Sequence, residues 1–190
     1  MTGKNACPTM FYRRHLPHWQ KADSALFITW RLSGSLPRQI LASSFKESDP
    51  GKRFLLLDRA LDQARYGPTW LKEAGIAKMV VDSLYYGAET LHYYRISAFV
   101  IMSNHVHILI WPEVLLERIT KSIKGFTAHE ANRILNRTGE TFWQDESFDH
   151  SVRDEAEFYR IKSYIERNPV KARLVESPED WPWSSAAKRK

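Results

Sequence analysis

Cysteine and long apolar segments are both scarce in this chain. Cys7 is the only cysteine among 190 residues, which excludes an internal disulfide and a zinc site built from cysteine thiolates. No apolar run reaches the roughly 18 residues that a membrane-spanning helix needs. Residues 1–21 also lack the apolar stretch of a signal peptide. We therefore expect a cytoplasmic protein that has no membrane partner.

Acidic residues are missing from both ends of the chain, although the net charge of the whole is only +6. Residues 1–21 contain four cationic side chains, and residues 188–190 are all basic; the seven are Lys4, Arg13, Arg14, Lys21, Lys188, Arg189 and Lys190. Basic segments on a nearly neutral body suit a polyanionic partner. On charge alone, a purely solubilising role fits equally well.

Length and composition indicate one globular domain. Hydrophobic residues make up 43% of the chain and charged residues 26%, which excludes a disordered or fibrous protein. A chain of this length can bury about 70% of its unfolded surface without disulfides or metals. We divide it into a basic N-terminal extension (1–22), one domain (23–187) and a basic tail (188–190).

The hydrophobic pattern predicts an α+β fold, with helices packed on one antiparallel sheet. Alternating or β-branched segments predict strands at 24–33, 92–102 and 104–111, the last two forming a hairpin through Ser103 and Asn104. Helical spacing predicts helices at 52–65, 70–86, 114–137 and 154–168. A short irregular or extended segment is expected at 142–152.

His105 and His107 are the first candidate site residues. On a strand, residues i and i+2 point to the same face, so both imidazoles project together while Val106 faces the other way. Adjacent imidazoles are one half of a divalent metal site. The pair alone is a weak signal, and two structural histidines remain an equal alternative.

Tyr164 and Asn168 supply a second candidate pair on the helix that begins after Asp154. They are four residues apart and therefore lie one turn from each other, on the apolar face. An amide on that face is costly unless it finds a partner, and its carbonyl oxygen could be a metal ligand. The alternative is a tyrosine at the edge of the core and an asparagine that ends the helix before Pro169.

Together these four residues suit phosphodiester chemistry. A tyrosine hydroxyl has a pKa near 10 and is a weak nucleophile. A divalent ion that polarises a phosphate would compensate for this weakness. Attack would then form a phosphotyrosine link that conserves the bond for rejoining.

Five segments make the chain resemble a known family, the REP-associated tyrosine transposases within the single-tyrosine HUH endonucleases. They are F-I-T-W-R-L-S-G-S-L-P (27–37), M-S-N-H-V-H-I-L-I (102–110), F-W-Q-D-E-S-F-D-H (142–150), Y-I-E-R-N-P-V-K-A-R-L-V (164–175) and W-P-W-S-S-A (181–186). The resemblance spans about residues 26 to 187, and its specificity lies in the order and spacing of the segments.

The resemblance implies a ferredoxin-like α+β fold with the histidines on a central strand. It implies that His105, His107 and Asn168 bind Mg²⁺ or Mn²⁺ and that Tyr164 is the catalytic nucleophile. The implied activity is single-strand cleavage and strand transfer at hairpins of repetitive extragenic palindromes, by a monomer or a homodimer. A domesticated, non-catalytic hairpin-binding protein on the same fold is the alternative.

The chain departs from the family pattern at two positions. Ser103 replaces a frequent proline, and Arg173 stands near a frequent glycine.

Candidate phosphate contacts are Arg13, Arg14, Lys121, Lys124, Lys171 and Arg173. For the lysines at 121 and 124, a solvated helix face is the competing interpretation.

Overall fold

A computed structural model describes residues 10–13, 17–20 and 24–188. The described strands are β1 (Met10–Arg13), β2 (Pro17–Gln20), β3 (Leu26–Arg31), β4 (Tyr94–Ile101), β5 (His105–Pro112) and β6 (Phe148–Ser151). The α-helices are α1 (Arg38–Ser44), α2 (Pro50–Asp62), α3 (Ala74–Tyr85), α4 (Leu116–Ile134) and α5 (Glu155–Lys171). None of these helices is long and apolar enough to cross a membrane.

Four strands form the main sheet in the order β4-β5-β3-β6, and each neighbouring pair is antiparallel. Strands β3 and β4 are therefore parallel to each other with β5 between them, and helices α1 to α3 connect them. This is the split β-α-β arrangement of ferredoxin-like folds. The predicted fold class is confirmed, and the His-X-His segment lies on a central strand.

The alternation of side chains along β5 separates the core from the candidate site. Val106 and Ile108 face the larger hydrophobic cluster, in which α3 and α4 pack on the sheet. His105 and His107 point to the opposite face, where Leu109 joins the cluster that includes Ile165 of α5. Since consecutive strand residues alternate between the two faces, one strand supplies both the core and the site.

Helix α5 begins where the sequence predicts and ends later. Asp154 caps the helix by accepting a hydrogen bond from the backbone N–H of Glu157 at 2.7 Å. The helix continues through Pro169 to Lys171, so the interpretation that Asn168 ends the helix is wrong. The missing N–H of a proline removes one helical hydrogen bond, but the last turn is retained by bonds from the backbone N–H groups of Arg173 and Leu174.

Part of the basic N-terminal segment forms two strands that pair with each other. Strands β1 and β2 form a separate two-stranded ladder, with Met10 opposite Gln20, where the sequence analysis assigned no structure. Arg14 and the tail residues 189–190 lie outside the described residues, and Arg13 is described only by its backbone. The proposed boundary at residue 22 stays a prediction.

Candidate active site

The two histidines of β5 form the floor of a buried site. Both side chains are fully buried, and their Nε2 atoms are 3.1 Å apart. Two nitrogens at this separation can serve one cation as neighbouring ligands, because metal–imidazole bonds are about 2.0–2.1 Å long.

Each imidazole is oriented through its other nitrogen. His105 Nδ1 lies 2.7 Å from Asn104 Oδ1, and His107 Nδ1 lies 2.7 Å from Thr29 Oγ1. The Asn104 amide nitrogen donates to the Leu61 carbonyl at 3.2 Å, so the amide oxygen faces His105 and Nδ1 must carry the hydrogen. The Nε2 lone pair of His105 is therefore left for a cation, which is the usual way metal-binding histidines are supported.

Burial keeps His105 neutral. Burial, and then the neighbouring His107, lower the pKa of His105 to about 3, against the opposing effect of Asp58. Only the neutral imidazole has a lone pair for a metal ion. At neutral pH the site therefore presents His105 in the form that binds metal.

Asp58 of α2 completes a three-residue cluster that could hold a metal ion. Its Oδ1 atom lies 3.1 Å from His107 Nε2 and 3.7 Å from His105 Nε2. This oxygen is buried and has no hydrogen-bond partner among the described residues. Two imidazoles and a carboxylate are a donor set suited to a divalent cation, so the residues present fit a divalent metal ion.

The Asp58 carboxylate is held in its charged form. Burial raises its pKa, but His107, and then His105 and a hydrogen bond from Tyr164, outweigh this, so the pKa of Asp58 falls well below its usual value. A buried carboxylate that stays charged needs nearby cations or donors. Asp58 is thus an anion before any metal binds.

Tyr164 and Asp58 are in direct contact. The phenolic hydroxyl donates a hydrogen bond to Asp58 Oδ2, the oxygen that does not face the imidazoles. Burial first, and then the negative charge of Asp58, raise the pKa of Tyr164 well above its usual value. A phenolate is disfavoured here, so a nearby cation would be needed to make this oxygen an effective nucleophile.

Asn168 lies one turn beyond Tyr164 and is completely buried. Neither of its amide atoms has a hydrogen-bond partner among the described residues. Asn168 lowers the pKa of the Tyr164 hydroxyl, but by less than burial and Asp58 raise it. A buried polar group without a partner costs about 1–3 kcal/mol. An amide kept at this cost one turn from Tyr164 is suited to a ligand that is not part of the chain.

Lys171, in the last turn of α5, forms ion pairs with both aspartates of α2. Its Nζ atom lies 2.8 Å from Asp62 Oδ2 and 3.3 Å from Asp58 Oδ2. Burial and the charge of Asp58 raise the pKa of Asp62, against the opposing effect of Lys171. The ammonium group thus neutralises part of the acidic charge that α2 brings to the site.

The sequence analysis missed both aspartates of α2. Phe54 and Leu61 lie on the inward-facing side of this helix, since Leu61 is buried and Phe54 packs against the cluster that includes Ile165. Asp58 is four residues after Phe54 and three before Leu61, so it falls on the same face. The argument that singled out Asn168, a polar side chain on a core-facing stripe, applies equally to Asp58.

The remaining basic candidates are distributed over the surface. Lys124 donates to the backbone carbonyls of Gln144 and Asp145, each at 2.7 Å, while Lys121 is exposed on the same helix. Arg173 follows α5 and adopts a positive φ of 58°. Contact of these residues, and of Lys171, with DNA stays a prediction.

Comparisons with known proteins give one family match and two similar structures. Residues 72–168, just over half of the chain, match the family described as "Transposase IS200 like". A structure of a REP-associated tyrosine transposase bound to a REP hairpin is 19% identical in sequence, with a TM-score of 0.52 over 92% of this chain and 81% of the other. A transposase structure from Deinococcus radiodurans is 14% identical, with a TM-score of 0.43 over 88% of this chain and 97% of the other.

No curated protein matches the sequence. The extent of the family match is nevertheless sufficient to assign the chain, and it includes both histidines, Tyr164 and Asn168. The resemblance inferred from the sequence is confirmed: the chain belongs to the family of IS200-like transposases.

Proposed function

We propose that this protein is a metal-dependent endonuclease and strand transferase that acts on single-stranded DNA at palindromic hairpins. One observation carries the proposal. The Tyr164 hydroxyl is bonded to Asp58, whose other oxygen faces the Nε2 atoms of two buried histidines. A tyrosine nucleophile beside a cation site is the arrangement that phosphodiester transfer requires.

His105, His107 and Asn168 would hold Mg²⁺ or Mn²⁺, and Asp58 would be an additional ligand. Such an ion would polarise the scissile phosphate and offset the charge that develops during attack. The unpartnered amide of Asn168 supports its inclusion, because an amide oxygen is a hard ligand suited to either ion. The buried carboxylate of Asp58 adds the negative charge that the other three ligands lack.

Tyr164 would attack the phosphorus atom as the nucleophile. The new bond joins the phenolic oxygen to the 5′-phosphate, and the bond from phosphorus to the 3′-oxygen breaks, which leaves a 5′-phosphotyrosine and a free 3′-OH. Asp58 Oδ2 accepts the phenolic hydrogen bond and is therefore the group placed to receive that proton. A 3′-OH from the same or another strand would reverse the reaction and complete strand transfer.

Hairpin DNA from repetitive extragenic palindromes is the substrate that we propose, within the cytoplasm. A REP hairpin is bound by the similar transposase structure, and the basic residues Arg13, Arg14, Lys121, Lys124, Lys171 and Arg173 would contact phosphates. We propose that the protein acts as a monomer or as a homodimer. A homodimer would place two complete sites in one assembly.

A covalent adduct tests the catalytic proposal. Palindrome-containing single-stranded DNA is incubated with the protein and Mg²⁺ or Mn²⁺, and the mixture is separated on a denaturing gel. We expect a shifted protein–DNA band that Tyr164→Phe abolishes, while hairpin binding by the same variant is retained. An adduct of equal yield in Tyr164→Phe would overturn the assignment of the nucleophile.

A non-catalytic hairpin-binding protein is the second candidate. It is favoured by the burial of the histidines and by the engagement of the Tyr164 hydroxyl with Asp58, which together close the site. Hairpin binding without an adduct under any metal condition would support this alternative. A metal-dependent adduct would exclude it.

A further inference from the structure

A cavity of about 340 Å³ lies beside the proposed active site. It is enclosed by α1, α2, the end of β3 and the segment 144–148. Two of its lining residues, Thr29 and Asp58, also belong to the site, since Thr29 orients His107 and Asp58 bonds Tyr164. The cavity and the proposed site therefore share a wall.

The lining of the cavity is mostly apolar and includes aromatic rings. The ring of Phe54 stacks on that of Phe148 with centroids 4.4 Å apart, and side chains of α1 and α2, including Leu41 and Leu57, complete the wall. Ligand pockets have volumes of about 300–1,000 Å³ and combine apolar walls with a few polar groups. The volume is sufficient for a single planar ring system.

Arg31 adds a positive charge to the cavity. Its guanidinium donates to the Ser35 hydroxyl at 3.2 Å, and no carboxylate lies within ion-pair distance of it among the described residues. Burial lowers the pKa of Arg31 from its ordinary value, which shows that the charge is partly removed from water. A partly buried guanidinium without an acidic partner is suited to a phosphate, which it can bind through two parallel hydrogen bonds.

Arg53 lines the same cavity from α2. Its guanidinium carbon lies 5.9 Å above the Phe45 ring, so a second cation borders the apolar wall. Two arginines beside an aromatic pocket match the two parts of a nucleotide, because bases stack on aromatic rings and arginines bind the phosphate.

Glu146 supplies a hydrogen-bond acceptor in the lining of the cavity. Its Oε1 atom is buried without a hydrogen-bond partner among the described residues. A carboxylate accepts hydrogen bonds from amine-bearing bases, such as the N4 amine of cytosine. The pairing edge of thymine, with two carbonyl groups, is a poorer match to this acceptor.

We propose that this cavity binds one unpaired nucleotide next to the scissile phosphate, with the base inside and the adjoining phosphate on Arg31. Glu146 makes the pocket select bases that carry an exocyclic amine. This inference rests on the proposed single-strand nuclease function and adds a position at which the protein itself reads the sequence. An unpaired base is required, because a base inside the cavity cannot remain stacked in a duplex.

Binding in the presence of a chelator tests the pocket separately from cleavage. The probes are dC12, dT12 and a 12-nucleotide abasic strand, titrated by fluorescence anisotropy. Stacking of one base contributes about 1–3 kcal/mol, or about 5- to 150-fold in affinity. We expect dC12 to bind at least fivefold more tightly than the abasic strand, with dT12 between them.

Three variants separate the parts of the pocket. Leu41→Trp fills the cavity and should remove the advantage of dC12 over the abasic strand. Arg31→Gln should lower the affinity for all three probes by a similar factor. Glu146→Gln should make the affinities for dC12 and dT12 more nearly equal. Arg95→Gln, which removes an exposed arginine on β4, is the matched control and should leave the preference for dC12 unchanged.

Two results would overturn the inference: equal affinity of the wild-type protein for dC12 and the abasic strand, or an undiminished preference in a folded Leu41→Trp variant. Thermal melting of each variant checks folding. The adduct assay with Tyr164→Phe decides the proposed nuclease function independently, because it needs metal and cleavage, whereas these titrations exclude both.

Discussion

The Tyr164 hydroxyl and the Asp58 carboxylate are joined by a hydrogen bond across the candidate site, although 106 residues separate them in sequence. The same carboxylate faces both imidazoles through its other oxygen. Helix α2 therefore links the proposed nucleophile to the proposed metal ligands.

Asp58→Asn should weaken metal binding and lower the pKa of Tyr164. The substitution keeps the shape of the side chain but removes the charge that raises the tyrosine pKa after burial itself. Calorimetric titration with Mn²⁺ should give at least a tenfold loss of affinity. The phenolate absorbance of Tyr164 is the difference between Asp58→Asn and the double variant Asp58→Asn/Tyr164→Phe. It should appear at lower pH than the corresponding difference between the wild type and Tyr164→Phe. Unchanged Mn²⁺ affinity would exclude Asp58 from the ligands.

Asn168→Ala should reduce Mn²⁺ affinity and cut cleavage by orders of magnitude while hairpin affinity is retained. The variant removes a buried amide that has no partner among the described residues, so the apo fold should lose little stability. Asn168→Asp should bind Mn²⁺ at least as well as the wild type, because a carboxylate replaces a neutral oxygen. Normal cleavage by Asn168→Ala would show that the amide is not a ligand.

The metal-free protein should become less stable as the pH falls from about 6.5 to about 3. The folded state lowers the pKa of His105 to about 3 from the ordinary 6.5, so in this window the unfolded chain binds more protons there. One proton corresponds to about 1.4 kcal/mol per pH unit.

Urea unfolding in the presence of a chelator measures this slope. His105→Gln removes the titrating group and should flatten the dependence between pH 6.5 and pH 5, where the carboxylates contribute less. A slope unchanged by His105→Gln would mean that His105 is charged in the folded protein.

Arg173→Gly should stabilise the fold by about 1 kcal/mol, because a non-glycine residue in the left-handed region costs about this much. Arg173 has a φ of 58°, and its N–H donates to the Val170 carbonyl while that of Leu174 donates to Pro169. This is the helix ending that favours glycine. A thermal melt should show a midpoint about 2–4 °C higher for a chain of this size. Arg173→Ala is the control and should show no such gain.

The sequence predicted the site residues that lie on regular elements with clear periodicity. Strand alternation placed His105 and His107 on one face, and helical spacing placed Asn168 beside Tyr164; the structure has both arrangements. The positive φ of Arg173 also agrees with the frequent glycine that the family resemblance implies near this position.

The contribution of α2 could not be derived in the same way. Asp58 reaches the histidines only because the connection between β3 and β4 folds back over the sheet, and local periodicity contains no information about where such a connection packs. Its position on an apolar stripe was a usable signal that it is buried. The identity of its partners, Tyr164 and His107, depends on tertiary structure alone.

The alternation along β5 also limits how the chain can change by insertion or deletion. Each residue from 105 to 110 is paired with one of β3, so that His107 lies opposite Thr29 and Ile108 opposite Ile28. Inserting a single residue within this stretch would turn the following side chains to the opposite faces of the sheet. An imidazole would then enter the hydrophobic layer and a branched alkyl group would replace it at the cation site. Length changes that keep the cation site are therefore confined to the chain outside this stretch, or need a bulge such as the one between Ile96 and Ala98 of β4.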